Sequence, residues 1–190
     1  MTLLIAGIIV FLGVHLLPTC SGVRAALVAR LGENGYKALF SLASILGFVL
    51  LVWGFATAPV IEVWSPPSWT RHVAMLLMLP AFIFLVAAYV PGQIKAKLKH
   101  PFLIAIKTWA LAHLIANGDL ASILLFGSFL AYAVYDRIAL KGRQPTGLVE
   151  VRGPGSRRND AIAVALGTAL YFAFLLWLHP LLIGRPVLMH

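Results

Sequence analysis

Residues His100–Asp136 read HPFLIAIKTWALAHLIANGDLASILLFGSFLAYAVYD. Two long apolar runs flank the triplet Asn117-Gly118-Asp119, which is the pattern of two membrane helices joined by a tight turn. Gly118 can adopt the left-handed conformation that ends a helix, and Asp119 can cap the next one. His113 lies within the first run, at membrane depth. A polar side chain there is costly, so it points to a function. Trp109, His113 and Asn117 recur at i, i+4 and i+8 and so share one helix face. Ala110, Ala112 and Ala116 keep the surroundings of His113 thin, which leaves room for a neighbouring helix or a flat ligand.

Working outward, the same apolar texture fills the chain. Of its 190 residues 61% are hydrophobic, and the mean hydropathy is +0.94. Little is left over for a soluble domain. The expected architecture is all-α: one polytopic membrane domain covering 1–190, a bundle of six transmembrane helices. Spans are predicted at about 3–18, 38–57, 71–90, 101–116, 120–138 and 161–178, from the length of chain needed to cross a bilayer. The first span lacks a basic leader and a small-residue cleavage site, so it reads as retained. Thr19–Tyr36 reads as a basic amphipathic connector lying along the membrane surface. Ser41 and Ser44 are placed to hydrogen-bond back to their own helix. Val60–Thr70 holds Pro66 and Pro67, which forbid helix, and Trp64 and Trp69, which suit the interface. Pro80 predicts a kink in the third span. Lys141–Asp160 is a polar Gly/Pro/Arg loop, and the sixth span ends at His179-Pro180.

The formal net charge of +9 would suggest nucleic acid in a soluble protein, but here the cations lie between apolar segments. Arg24, Arg30 and Lys37, then Lys95, Lys97 and Lys99, then Arg137, Lys141, Arg143, Arg152, Arg157 and Arg158 fall in alternate loops. Arg71 and Arg185 fall on the other side, and Lys107 within a span. The positive-inside rule then places the basic loops in the cytoplasm and both termini outside it. The partner is the lipid bilayer, not nucleic acid, and the expected location is a cell membrane.

Candidate chemistry is confined to histidine. The single Cys20 excludes an intrachain disulfide, a CxxC metal or redox pair and covalent haem attachment through CxxCH. The six histidines are His15, His72, His100, His113, His179 and His190. No two are spaced as in an HExxH zinc site. Single histidines on separate helices suit haem, whose iron takes two imidazoles from facing helices. The plain alternative is that each histidine simply bonds a neighbouring helix. Lys107 can snorkel or meet a ligand carboxylate such as a haem propionate. There is no nucleophile–base pair, phosphate loop or paired carboxylate, which removes most soluble-enzyme chemistry.

The segment HPFLIAIKTWALAHLIANGDLASILLFGSF resembles the NnrU family of bacterial membrane proteins, marked by HP followed by a WALAHLLANGDLAS-like run. HLLP at His15–Pro18, FSLAS at Phe40–Ser44 and LHPLLIG at Leu178–Gly184 carry the resemblance across the chain. It implies a link to denitrification and nitric oxide metabolism. The family is also similar to the plastid 15-cis-zeta-carotene isomerase, a membrane enzyme that uses haem b. By that resemblance His113, within Trp109–His113, is one axial iron ligand and His15 the other. The isomerase cysteine that can replace a histidine on iron corresponds to Ala110, where no such exchange is available. Counting depth along the helices at about 1.5 Å per residue instead levels His113 with His179, or His15 with His100. The readings to be weighed are therefore a haem b protein of nitric oxide or redox metabolism, a carotenoid cis–trans isomerase, and a non-catalytic membrane accessory protein.

Overall fold

The structure is a computed structural model that describes residues 1–142 and 155–188. Arg143, Arg152 and most of the expected polar loop, together with His190, lie outside the described residues. The chain runs as α1 (Thr2–Leu16), α2 (Ser21–Ala56), α3 (Trp69–Tyr89), α4 (Gln93–Leu98), α5 (Pro101–Ala116), α6 (Leu120–Gly142), α7 (Arg157–Ala173) and α8 (His179–Ile183). Among the described residues the only extended pairing is an isolated antiparallel bridge between Glu62 and Asp119. Among the described residues, five helical stretches are long and apolar enough to cross a membrane: Thr2–Thr19, Ser21–Ala56, Trp69–Tyr89, Leu120–Lys141 and Arg157–Ile183. Their outward residues, such as Ile9, Leu42, Leu76 and Leu181, are large, apolar and exposed. That is the reverse of a soluble fold and points to a lipid surround. α5, at 16 residues, spans about 24 Å, short of the roughly 30 Å hydrocarbon core.

The chain divides into two compact units, and the division falls inside α5. The first comprises Met1–Pro67 and the described part of His113–Gln144. In it α1 and α2 are antiparallel and held at backbone contact by glycine. A Cβ on Gly47 would come 2.7 Å from the Phe11 nitrogen, and one on Gly7 or Gly54 would strike the backbone of Leu51 or Leu4. The pairs 4/54, 7/51 and 11/47 step in opposite directions at matched spacing, so three glycines set one register. Lipid supplies no hydrophobic drive between helices. Such close small-residue contact supplies van der Waals packing instead.

Several boundaries differ from the expectations. The connector and second span form one helix broken only at Gly32, whose φ of 71° and ψ of 166° leave the helical region. Helix therefore resumes before residue 38, because glycine tolerates that turn without unravelling its flanks. Ser44 does not back-bond: its hydroxyl is buried and without a partner. α1 passes through a 3₁₀ turn at Leu17–Thr19, close to its predicted end.

In the second unit, Ser68–Ala112 with the described part of Pro145–His190, α3 continues as one helix through Pro80 and packs on α7. Gly167 lies against the backbone of Ile83, 2.6 Å from where a Cβ would stand. Phe82 meets Phe174 with ring centroids 5.1 Å apart. The Asp160 carboxylate accepts from Ile94 N at 2.9 Å, and Asn159 donates to the Pro91 carbonyl at 2.8 Å. Together they tie α4 to the start of α7. The last span does not stop at His179-Pro180. A π turn at Phe174–Leu178 leads into α8, and the helix ends at Gly184 with φ 75°. Proline lacks an N–H and crowds the carbonyl four residues back, and the wider turn relieves both. Gly184 is the left-handed terminator.

The glycine register gives a direct test. Gly47→Ala should lower stability by about 1–3 kcal/mol through overpacking, read as a lower thermal midpoint in detergent. Gly13→Ala, which meets nothing within 4 Å, should leave the midpoint unchanged.

Candidate functional site

The tight turn after α5 is built by its own side chains and by a distant loop. Asn117 donates from its side-chain amide to the His113 carbonyl at 2.8 Å, and its backbone N–H does the same at 2.9 Å. Asp119 caps α6: Ser122 N donates to one carboxylate oxygen at 2.9 Å and Ser122 Oγ to the other at 2.7 Å. That is the side-chain cap expected for Asp119. Gly118 is needed for a different reason from the one expected. Its φ is not positive. Its carbonyl accepts from Val63 N at 2.9 Å and Trp64 N at 3.2 Å, while Leu120 N donates to the Ile61 carbonyl at 2.8 Å. A Cβ there would fall on the Trp64 carbonyl. Close backbone approach, not left-handed geometry, excludes a side chain.

This turn fixes the end of α5 that carries His113. The His113 ring stacks on Phe126 of α6, centroids 4.5 Å apart and planes 25° from parallel. Further along α6, Phe129 meets Phe11 of α1 at 5.8 Å, and Tyr132 meets His15 edge-on at 6.4 Å. Phe126, Phe129 and Tyr132 recur every three residues, so they form one aromatic face. His113 and His15 thus lie in the same unit and contact the same face. Their contact points are six residues apart, about 9 Å of helix rise.

His15 is enclosed by aromatic rings. Phe11 lies 4.3 Å away and Phe40 5.3 Å. Its Nδ1–H donates to the Phe11 carbonyl at 2.7 Å. With Nδ1 engaged by that carbonyl, Nε2 is the ring nitrogen left for a metal, the arrangement that orients imidazoles on metals.

The NnrU family model, described as NnrU protein, matches residues 3–187. The chain belongs to the NnrU family. Nothing among curated proteins and nothing among solved structures matches it.

The other sequence candidates of this NnrU chain belong to the second unit. Trp109 stands one turn before His113 on α5 and is half-buried, as is His100, which follows the short α4. His179 sits where the π turn gives way to α8, and its Nδ1–H donates to the Arg185 carbonyl at 2.7 Å. His72 is exposed at the start of α3. Among the described residues no group of three or more His, Cys, Asp or Glu is gathered for a metal ion. Phe11, Phe40, Phe126, Phe129 and Tyr132 were not singled out by the sequence reading. The three-residue spacing in Phe126–Tyr132 was the available signal.

Both halves of the turn can be tested. Asp119→Ala should cost about 1 kcal/mol by removing the cap. Gly118→Ala should cost more, because backbone must move. Both effects should appear as lowered thermal midpoints in detergent, Gly118→Ala the lower.

Proposed function

We propose that this NnrU-family chain is a haem b protein of the bacterial inner membrane, with His113 and His15 as the iron-binding residues, serving nitric oxide or related redox chemistry. The observation that carries the reading is the state of His15: Nδ1–H is held by the Phe11 carbonyl, leaving Nε2 as a ready donor inside an aromatic enclosure. His113, stacked flat on Phe126, adds a second imidazole against the same α6 face. The donor chemistry fits haem, since neutral imidazoles on separate helices are its usual axial ligands. The apolar rings beside them suit a macrocycle. Bound haem would supply an iron that exchanges electrons. The chain's own residues do the rest: the Asn117–Asp119 turn holds His113 in place, and Phe11, Phe40 and Tyr132 hold His15. The isomerase reading is less favoured because Ala110, fully buried, offers no exchangeable ligand.

In the same reading six helices cross the membrane, α5 among them, and both termini lie outside the cytoplasm, as the distribution of basic residues favours. In a Cys20→Ala background, Arg158→Cys should label only from the cytoplasmic side. Labelling from outside would reverse the orientation.

The haem experiment uses full-length protein purified in detergent from haem-replete cells. A Soret band and haem extractable with acid acetone are expected, because no CxxCH tethers the group. His113→Ala and His15→Ala should each abolish or shift the band, and His72→Ala should leave it unchanged. Wild-type protein that folds but carries no haem would support the accessory-protein reading instead.

A further inference from the structure

Apart from the histidines, the first unit contains a cavity of about 220 Å³. Its wall comes from Val14 and Leu17 at the end of α1, Leu27 in the Ser21–Leu31 segment of α2, and Tyr36, Leu39, Phe40 and Ala43 beyond the Gly32 break. The side chains around it are apolar apart from one phenol. Gly32, at φ 71°, divides α2 between Leu27 and the other α2 residues of the wall. A side chain would be strained at that φ.

The sequence around the cavity is cationic. The Arg24 guanidinium lies over the Tyr36 ring at 5.6 Å and meets the Glu33 carboxylate at 3.5 Å. Lys37 meets the same carboxylate at 3.4 Å. Arg30 is exposed on the same segment. Two cations thus share one carboxylate, all three side chains exposed. Tyr36 itself is 7% exposed, and its hydroxyl has no hydrogen-bond partner.

We propose that this corner binds an anionic phospholipid, with one acyl chain in the cavity and the phosphate between Arg24 and Lys37. Three observations select that occupant. The wall is apolar and belongs to helices whose outer faces are apolar, so the surrounding solvent is acyl chain. The volume lies below the roughly 300–1,000 Å³ of sites for drug-sized ligands, which suits a length of chain and not a ring system. The net positive charge of the cluster complements an acidic head group. Arg24 lies over the Tyr36 ring that forms part of the wall, which joins the cation cluster to the cavity.

The test is native mass spectrometry of the full chain in detergent, with phosphatidylglycerol or phosphatidylcholine added. Wild type should retain phosphatidylglycerol about tenfold better. Arg24→Gln combined with Lys37→Gln should erase that preference, and Ala43→Leu should reduce retention of both lipids by filling the cavity. Circular dichroism and the Soret band of each variant report folding and the histidine site separately, so failure here is distinguishable from failure of the haem reading. If Ala43→Leu unfolds, Leu39→Phe tests the same cavity. Equal retention of the two lipids by wild type, or unchanged preference in the double variant, would overturn the proposal.

Discussion

Hydrocarbon offers no hydrogen-bond partner, so every backbone N–H and C=O at membrane depth must be satisfied within the protein. Nearly everything distinctive here is a solution to that constraint. Helix α7 widens into a π turn before Pro180, and the α5–α6 turn draws its missing partners from the distant Ile61–Trp64 loop. The buried Gly118 between two spans meets the same need, its carbonyl accepting from both Val63 and Trp64. Leaving such a group unpaired in an apolar setting would cost more than the net gain from an ordinary hydrogen bond.

A second consequence of the same solvent is that packing must come from shape. Gly7, Gly47 and Gly54 let α1 and α2 meet backbone to backbone, and Gly167 lets α7 meet α3 in the same way. The first contact also shapes the candidate site. It sets the register of α1, and that register puts Phe11 and His15 opposite Phe129 and Tyr132 of α6. The aromatic contacts of His15 therefore depend also on glycines that do not touch the ring.

Much of the helix pattern was legible in the sequence, because hydrophobic run length is a strong signal and Pro66-Pro67 and Asn117-Gly118-Asp119 are strong interruptions. Asp119 was legible as a cap. Gly118 was singled out for the wrong cause: local sequence suggests a left-handed residue, whereas the requirement comes from a loop far away in the chain. The end of the last span was misplaced for a related reason. His179-Pro180 reads as a stop, but a π turn carries the helix past proline to Gly184. For the candidate site, His113 and His15 could be named, since an intramembrane histidine stands out. Their aromatic neighbours could not, because phenylalanine in an apolar span looks like any lipid-facing residue until the helices are placed. The division into two units inside α5 leaves no mark in composition at all.

The pairing of Ile61–Trp64 with Gly118–Leu120 also bears on how such a chain is made. The whole of α3, α4 and α5 lies between its two halves, so the contact closes a long loop, and the entropy of that closure must be met late. A chain entering the bilayer from its N-terminus completes α1 and α2 first. It then holds the Ile61–Trp64 edge unpaired until the fifth helix has emerged. The turn that presents His113 is consequently among the last parts of the first unit to become ordered. Biogenesis and site assembly end on the same hydrogen bonds, and a cofactor that needed this histidine could be received only after most of the protein was already in the membrane.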